Sequence, residues 1–154
     1  NYHISLSQVN VTEVCQTTLA GVAHRLHPGV ELLLQPPAKE VTLTTDRQRL
    51  QQILTNLLVN ACKYTMQGSI TLAYKTVEDK IIFSVTDTGC GIDKEKAEVI
   101  FQRFEKLDSF NAGFGLGLSI CRSLTSLLGG QIYLDTNYSG GASFVVELPL
   151  QPPT

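Results

Sequence analysis

The sequence predicts an α/β fold of the α+β kind, a two-layer sandwich in which helices cover one face of a mixed β-sheet. Three observations predict it. Apolar residues recur at helical steps over residues 47–64. Two pairs of β-prone runs, 69–75 with 80–86 and 131–136 with 142–148, each flank a polar turn and read as hairpins. Further helical patterns fall before and between these pairs, so helices and strands mix along the chain and need a shared core.

Taken in order, residues 6–11 read as a short strand. Val11, Val14, Cys15, Leu19, Val22 and Leu26 recur at three- and four-residue steps and predict a helix over 12–26, closed by Pro28-Gly29. Residues 30–34 read as a strand ended by Pro36-Pro37, and 41–44 as another. Asp46 is placed to cap the long helix 47–64, with Gly68 in the turn beyond it. The first hairpin turns at Val77-Glu78-Asp79. A glycine-punctuated stretch, 87–117, precedes a helix over 118–128 that Gly129-Gly130 stops. The last hairpin turns around residues 137–141.

Composition bounds the function. The chain has 154 residues, 43% hydrophobic and 17% charged, which suits one globular domain with a sizeable core. A net charge of −2 gives no basic field for nucleic acid or an anionic membrane surface. No apolar run approaches the about 18 residues that cross a bilayer. The chain opens on Asn1 with no signal peptide, and an upstream N-terminus is expected. Cys15, Cys62, Cys90 and Cys121 are scattered without a CxxC pair, so reduced thiols in a cytoplasmic setting are expected rather than a metal site or disulfide framework.

Three stretches carry chemistry. On the long helix, Leu50, Ile53, Leu54, Leu57 and Ala61 form an apolar face, while Gln52, Asn56, Asn60 and Lys63 follow at steps of four, four and three in one stripe. Two asparagines in a helix interior cost helix propensity. An amide oxygen can ligate a hard cation such as Mg²⁺, and a lysine can meet phosphate oxygens; the stripe also reads as a polar face that happens to use amides. The second stretch, Asp87-Thr88-Gly89-Cys90-Gly91, follows a strand. It reads either as a turn or as a site where glycines admit a flat ligand and a carboxylate takes an exocyclic amine such as that of adenine. The third, Gly113-Phe114-Gly115-Leu116-Gly117-Leu118, opens a helix, where exposed N–H groups suit a phosphate chain. No GxxxxGK[ST] and no HRDxxxxN occurs, which excludes the two commoner ATP-binding classes.

In this order the stretches resemble the sensor histidine kinase family, within the superfamily shared with gyrase-type topoisomerases, ninety-kilodalton heat-shock chaperones and mismatch-repair ATPases. Residues 54–65 (Leu-Thr-Asn-Leu-Leu-Val-Asn-Ala-Cys-Lys-Tyr-Thr) resemble its N box, 87–92 (Asp-Thr-Gly-Cys-Gly-Ile) its G1 box, 100–105 (Ile-Phe-Gln-Arg-Phe-Glu) its F box, and 113–119 (Gly-Phe-Gly-Leu-Gly-Leu-Ser) its G2 box. The similarity covers about residues 9–149.

The resemblance implies a Bergerat-type fold that binds ATP with Mg²⁺. Asn60 would ligate the metal and Asn56 would help order it, with Lys63 on phosphate; these three form the implied catalytic set. Tyr64 would lie against adenine, Asp87 would receive its amine, and Gly89, Gly91 and Ile92 would shape the base pocket. Gly113, Gly115, Leu116, Gly117 and Leu118 would hold the phosphate chain, with Lys106 and Arg103 as candidate cations. Phe101 and Phe104 are expected to pack the base of the lid.

Two departures stand out. Aligned on Phe144, Ser139-Gly140-Gly141-Ala142 meets the family's Gly-x-Gly-Thr without its first glycine and hydroxyl, so a ligand contact there is not expected. The lid over 105–112 is short and holds one basic residue, Lys106.

Hydrolytic members of the superfamily place a glutamate where this chain has Asn56. An amide cannot take a proton from water, whereas an imidazole nitrogen already offers a lone pair. The expected activity is therefore transfer of the γ-phosphoryl group to a histidine. His3, His24 and His27 are read as ordinary histidines, and the acceptor is expected on a helical dimerisation domain, in cis or across a homodimer, with a response-regulator receiver domain downstream. The expected organisation is a linker end at 1–8, the catalytic domain at 9–150 and a linker start at 151–154. The full-length protein can carry a membrane anchor, but this domain is expected to touch neither membrane nor nucleic acid. The alternatives are an ATPase or serine kinase of the same superfamily, or a non-catalytic ATP-binding signalling module.

Overall fold

A computed structural model describes residues 3–89 and 112–152, with the backbone alone for 112–116. The described elements are β1 (Ser7–Asn10), α1 (Val11–Val22), one 3-10 turn (Ala23–Arg25), β2 (Glu31–Gln35), β3 (Thr42–Thr45), α2 (Arg47–Tyr64), β4 (Ser69–Val77), β5 (Lys80–Asp87), α3 (Ala112–Leu127), β6 (Gln131–Leu134) and β7 (Ser143–Pro149). Five strands form one sheet in the order β2-β4-β5-β7-β6, and β1 pairs with β3 in a separate ribbon. The β2–β4 pair is parallel and the remaining pairs of the five-stranded sheet are antiparallel, so the sheet is mixed.

Alternation along the strands decides which face the helices cover. Ile70, Leu72 and Tyr74 on β4, and Ile81, Phe83 and Val85 on β5, are buried at every second position. They meet α2, whose Leu50, Ile53, Leu54, Leu57 and Ala61 are at most 2% exposed. Each large aliphatic side chain buried in this layer contributes roughly 1.5–3 kcal/mol. Leu58 and Cys62 are buried too, because α2 runs between α1 and α3 and packs on both as well as on the sheet.

The long helix begins and ends where the sequence predicts. Asp46 caps it by accepting from the Arg49 N–H at 3.2 Å, and Thr65 leaves helical geometry at φ −105° and ψ 107°. Two helices differ from expectation. The first ends at Val22 and tightens into a 3-10 turn, a common way for a helix terminus to satisfy its last carbonyls. α3 begins at Ala112, six residues before the predicted start, and takes the glycine run into its first two turns. Glycine lowers helix propensity by about 1 kcal/mol per residue but does not forbid the helix, and the favourable residues that follow carry it.

Among the described residues, no helix covers the opposite face of the sheet. Ala73, Lys75, Ile82, Ser84, Tyr133 and Val145 are among the residues lining a shallow groove of about 510 Å³ there. No described helix is long and apolar enough to cross a membrane.

Candidate functional site

The two-residue period of β5 that buries Ile81, Phe83 and Val85 also turns Asp87 toward the helical layer. Asp87 is 5% exposed. Its Oδ1 accepts the N–H of Gly89 at 2.8 Å and of Ala142 at 3.2 Å. Its own N–H donates to the Ala142 carbonyl at 2.8 Å, and the Tyr138 hydroxyl donates to the Asp87 carbonyl at 3.1 Å. Burial pushes the Asp87 carboxyl above the ordinary carboxylate range, and the two amide donors pull it back only in part. The result is a held, water-poor acceptor suited to a ligand N–H. It points away from the 510 Å³ groove, which Asp87 does not line.

Gly89 brings the second and first sequence stretches together. A Cβ there would stand 2.5 Å from the Tyr64 carbonyl oxygen, so only glycine lets the strand end lie against the end of α2. The neighbouring turn is stapled from the same side. Thr88 Oγ1 accepts from the Ser69 N–H and donates to the Gln67 carbonyl, both at 3.1 Å, and the Thr88 N–H donates to the Ser69 carbonyl at 3.2 Å.

The amide stripe of α2 splits by burial. Gln52 and Lys63 are exposed, whereas Asn56, Asn60 and Tyr64 are half-buried. Asn56 hydrogen-bonds the Cys121 thiol, which ties α2 to α3; burial pushes that thiol up to about 12, with the Asn56 bond opposing. Cys121 Sγ also donates to the Ile53 carbonyl at 3.6 Å. Asn60, one turn further on, offers a neutral oxygen donor in a half-buried position. No group of three His, Cys, Asp or Glu suited to a metal occurs among the described residues. A lone amide oxygen beside a phosphate chain fits Mg²⁺, which takes few protein ligands and keeps substrate oxygens and waters.

In α3, the amides of its first three residues, Ala112, Gly113 and Phe114, precede the first intrahelical bond. Gly115 is the fourth residue and, like Leu50 in α2, reaches back to the N-cap carbonyl, and Gly117 and Leu118 lie further in, so these N–H groups are engaged within the helix; the Leu118 side chain is 1% exposed in the core. Among the glycines of the run, Gly113 therefore has the amide without an intrahelical acceptor. Leu116 has its backbone in the same helix. Gly91, Ile92, Phe101, Arg103 and Lys106 lie outside the described residues, as does Cys90. Cys15, Cys62 and Cys121 are free and buried.

The segment aligned with the family's last box contacts Asp87 by main chain alone, through the Ala142 N–H and carbonyl, so the missing side-chain hydroxyl does not break it. A Cβ at Gly141 would stand 2.1 Å from the Asp87 carbonyl oxygen, which explains the glycine there. Sequence reasoning also passed over Thr65, Tyr138 and the Asn56–Cys121 contact. Only Thr65 carried a signal, as the last residue of the N-box stretch.

The fold agrees with comparison to known proteins. The model of the histidine kinase-, DNA gyrase B-, and HSP90-like ATPases matches residues 45–152. The chain belongs to that family, as a catalytic ATP-binding domain of the sensor histidine kinase type. It is 42% identical over 112 residues to the adaptive-response sensory kinase SasA of a Nostoc species, covering 70% of this chain and 28% of that one. It is 36% identical over 151 residues to the circadian input-output histidine kinase CikA of Thermosynechococcus vestitus, covering 93% of this chain and 21% of that one. The chain thus spans well under a third of the length of either relative. Full-length ShkA in complex with AMPPNP superposes with a TM-score of 0.87 at 31% identity, over 96% of this chain and 32% of that one. The nucleotide-free catalytic domain of the histidine kinase ThkA gives 0.84 at 26% identity, over 97% and 99%.

Proposed function

We propose that the chain binds Mg-ATP and donates its γ-phosphoryl group to a histidine on an adjoining helical dimerisation domain of a two-component sensor kinase. The observation that carries this reading is the buried Asp87 carboxylate, braced by Gly89 and Ala142 against the end of the helix that bears Asn56 and Asn60. Asp87 accepts the adenine amine, and Tyr64 flanks the base. The N-terminus of α3, with the Gly113 amide ahead of the first intrahelical bond and the glycines Gly115 and Gly117 admitting close approach, and the ammonium of Lys63 hold phosphate oxygens. Asn60 holds Mg²⁺, which when bound neutralises phosphate charge. Asn56 positions this end of α2 against α3. These groups orient the chain of phosphates, and the amide of Asn56 cannot take a proton from water, so the bond from the γ-phosphorus to the ADP oxygen breaks as the imidazole nitrogen bonds that phosphorus. The site uses ATP, which supports a cytoplasmic setting, and the phosphohistidine then serves a receiver domain.

Mixing the chain with a histidine-bearing dimerisation domain and labelled ATP tests this. The expected product is an acid-labile, alkali-stable phosphohistidine on the added domain, formed slowly because the pieces are not tethered. Brisk hydrolysis by the chain alone, label on serine or threonine, or tight binding without transfer to a natural partner domain would each replace this reading.

A further inference from the structure

The ribbon of β1 and β3 pairs Ser7 with Thr45, a register that would next set Leu6 opposite Asp46 and Ser5 opposite Arg47. Arg47 is already the first residue of α2, so its backbone offers Ser5 no strand partner. Asp46 supplies one from its side chain. Its Oδ2 accepts the Ser5 N–H at 2.9 Å, while its Oδ1 accepts the Arg49 N–H at 3.2 Å. The first turn of α2 takes a second hold on the same segment, with Arg49 Nη2 donating to the His3 carbonyl at 3.4 Å. Asp46 is 4% exposed, whereas Ile4 and Leu6, on either side of Ser5, are 37% and 51% exposed. Apolar burial therefore contributes little to holding this segment, and main-chain bonds to α2 hold it instead.

An N-cap uses one side-chain oxygen. The second oxygen of Asp46 ties residues 3–5 to the helix that carries Asn56, Asn60 and Lys63. Asn60 stands about four helical turns, roughly 21 Å, along α2 from this hold. We propose that Asp46 is a positioning residue for phosphoryl transfer: it clamps the segment 3–5 to the start of α2, so that a domain attached through this segment meets the phosphate end of α2 in a fixed orientation. The inference rests on the reading in which residues 1–8 lead from the histidine-bearing domain. Holding donor and acceptor in one geometry raises the transfer rate, and releasing the clamp lets the tether swing and lowers it. The clamp lies at the opposite end of α2 from Asn60 and Lys63, so ATP affinity does not depend on it.

The test uses the intact kinase, in which this chain is continuous with its dimerisation domain, and also the two parts supplied separately. Ser5→Pro deletes the N–H donor and leaves Asp46 untouched. Asp46→Asn keeps one oxygen for the cap, where asparagine serves about as well as aspartate. In the intact kinase at saturating ATP and Mg²⁺, each variant should form phosphohistidine roughly tenfold more slowly, with the KM for ATP unchanged. The double variant should be no slower than either single one, because both remove the same bond. With the parts supplied separately, where the segment joins nothing, Ser5→Pro should match the wild-type rate. A wild-type rate for Ser5→Pro in the intact kinase, an equal loss with the separate parts, or a raised KM overturns the proposal. An intact wild-type kinase that forms no phosphohistidine removes the transfer reading itself, and this inference with it.

Discussion

The Tyr64 carbonyl oxygen and Gly89 touch backbone to backbone, with no room for a Cβ that would stand 2.5 Å from that oxygen. This contact joins the end of α2 to the turn after β5, and so joins the two stretches proposed to hold the phosphates and the base. Backbone atoms cannot rotate away as a side chain would. Gly89→Ala should therefore destabilise the fold by roughly 1–3 kcal/mol and weaken ATP binding, because the turn must move Asp87 Oδ1 out of reach of the Gly89 N–H. Urea unfolding and ATP titration measure both effects. Wild-type values for both would mean that the contact relaxes freely.

Asp87 makes two linked predictions. Its folded-state carboxyl lies above the usual range because of burial. A raised acid contributes stability that is present at low pH and lost as pH rises through the raised value. Asp87→Asn removes that loss, so the stability of the variant relative to wild type should increase with pH across this window and then level off. ATP affinity should move the other way. The variant loses a carboxylate acceptor and binds ATP weakly, and wild type itself should lose ATP on acidification sooner than an ordinary aspartate would allow. Wild type should reject GTP, whose guanine carbonyl would face the carboxylate. Equal ATP and GTP affinities would remove the contact.

Asn60 is half-buried and off the apolar face of α2, so Asn60→Ala opens no core cavity. Its melting temperature without ligand should match wild type. The Mg²⁺-dependent part of ATP affinity should fall by at least the roughly 10–100-fold that even outer-shell metal partners are worth, with transfer abolished. ATP titrations with and without Mg²⁺ check this, and an unchanged Mg²⁺ dependence would place the metal elsewhere.

The amides of α3 divide after Phe114. Those of Gly113 and Phe114 precede the first intrahelical bond, whereas those of Gly115, Gly117 and Leu118 have an acceptor within the helix. Hydrogen exchange at Gly113 and Phe114 should be fast without nucleotide and slow with AMPPNP, while Gly115, Gly117 and Leu118 stay protected in both states. Slowing confined to Gly117 and Leu118 would require the helix to unwind on binding and would contradict the arrangement described here.

The sequence by itself determined the elements and the direction of the key side chain. The period of 3.6 with an Asp46 cap specified α2 to the residue, and the period of two in β5 turned Asp87 to the helical face, because both signals depend only on local geometry. The motif order pointed to ATP and to Asn60 and Asp87 before any contact was known. Local patterns carry no record of partners distant in the chain. That β2 joins β4 in parallel, that β1 leaves the main sheet to pair with β3, and that Asn56 meets Cys121 were decided by packing. The start of α3 differs from the local pattern too, since the helix extends through glycines that sequence propensity alone disfavours. Packing also decided the bracing of Asp87, because Ala142 contributes through its backbone and no residue identity at that position announces a main-chain hydrogen bond.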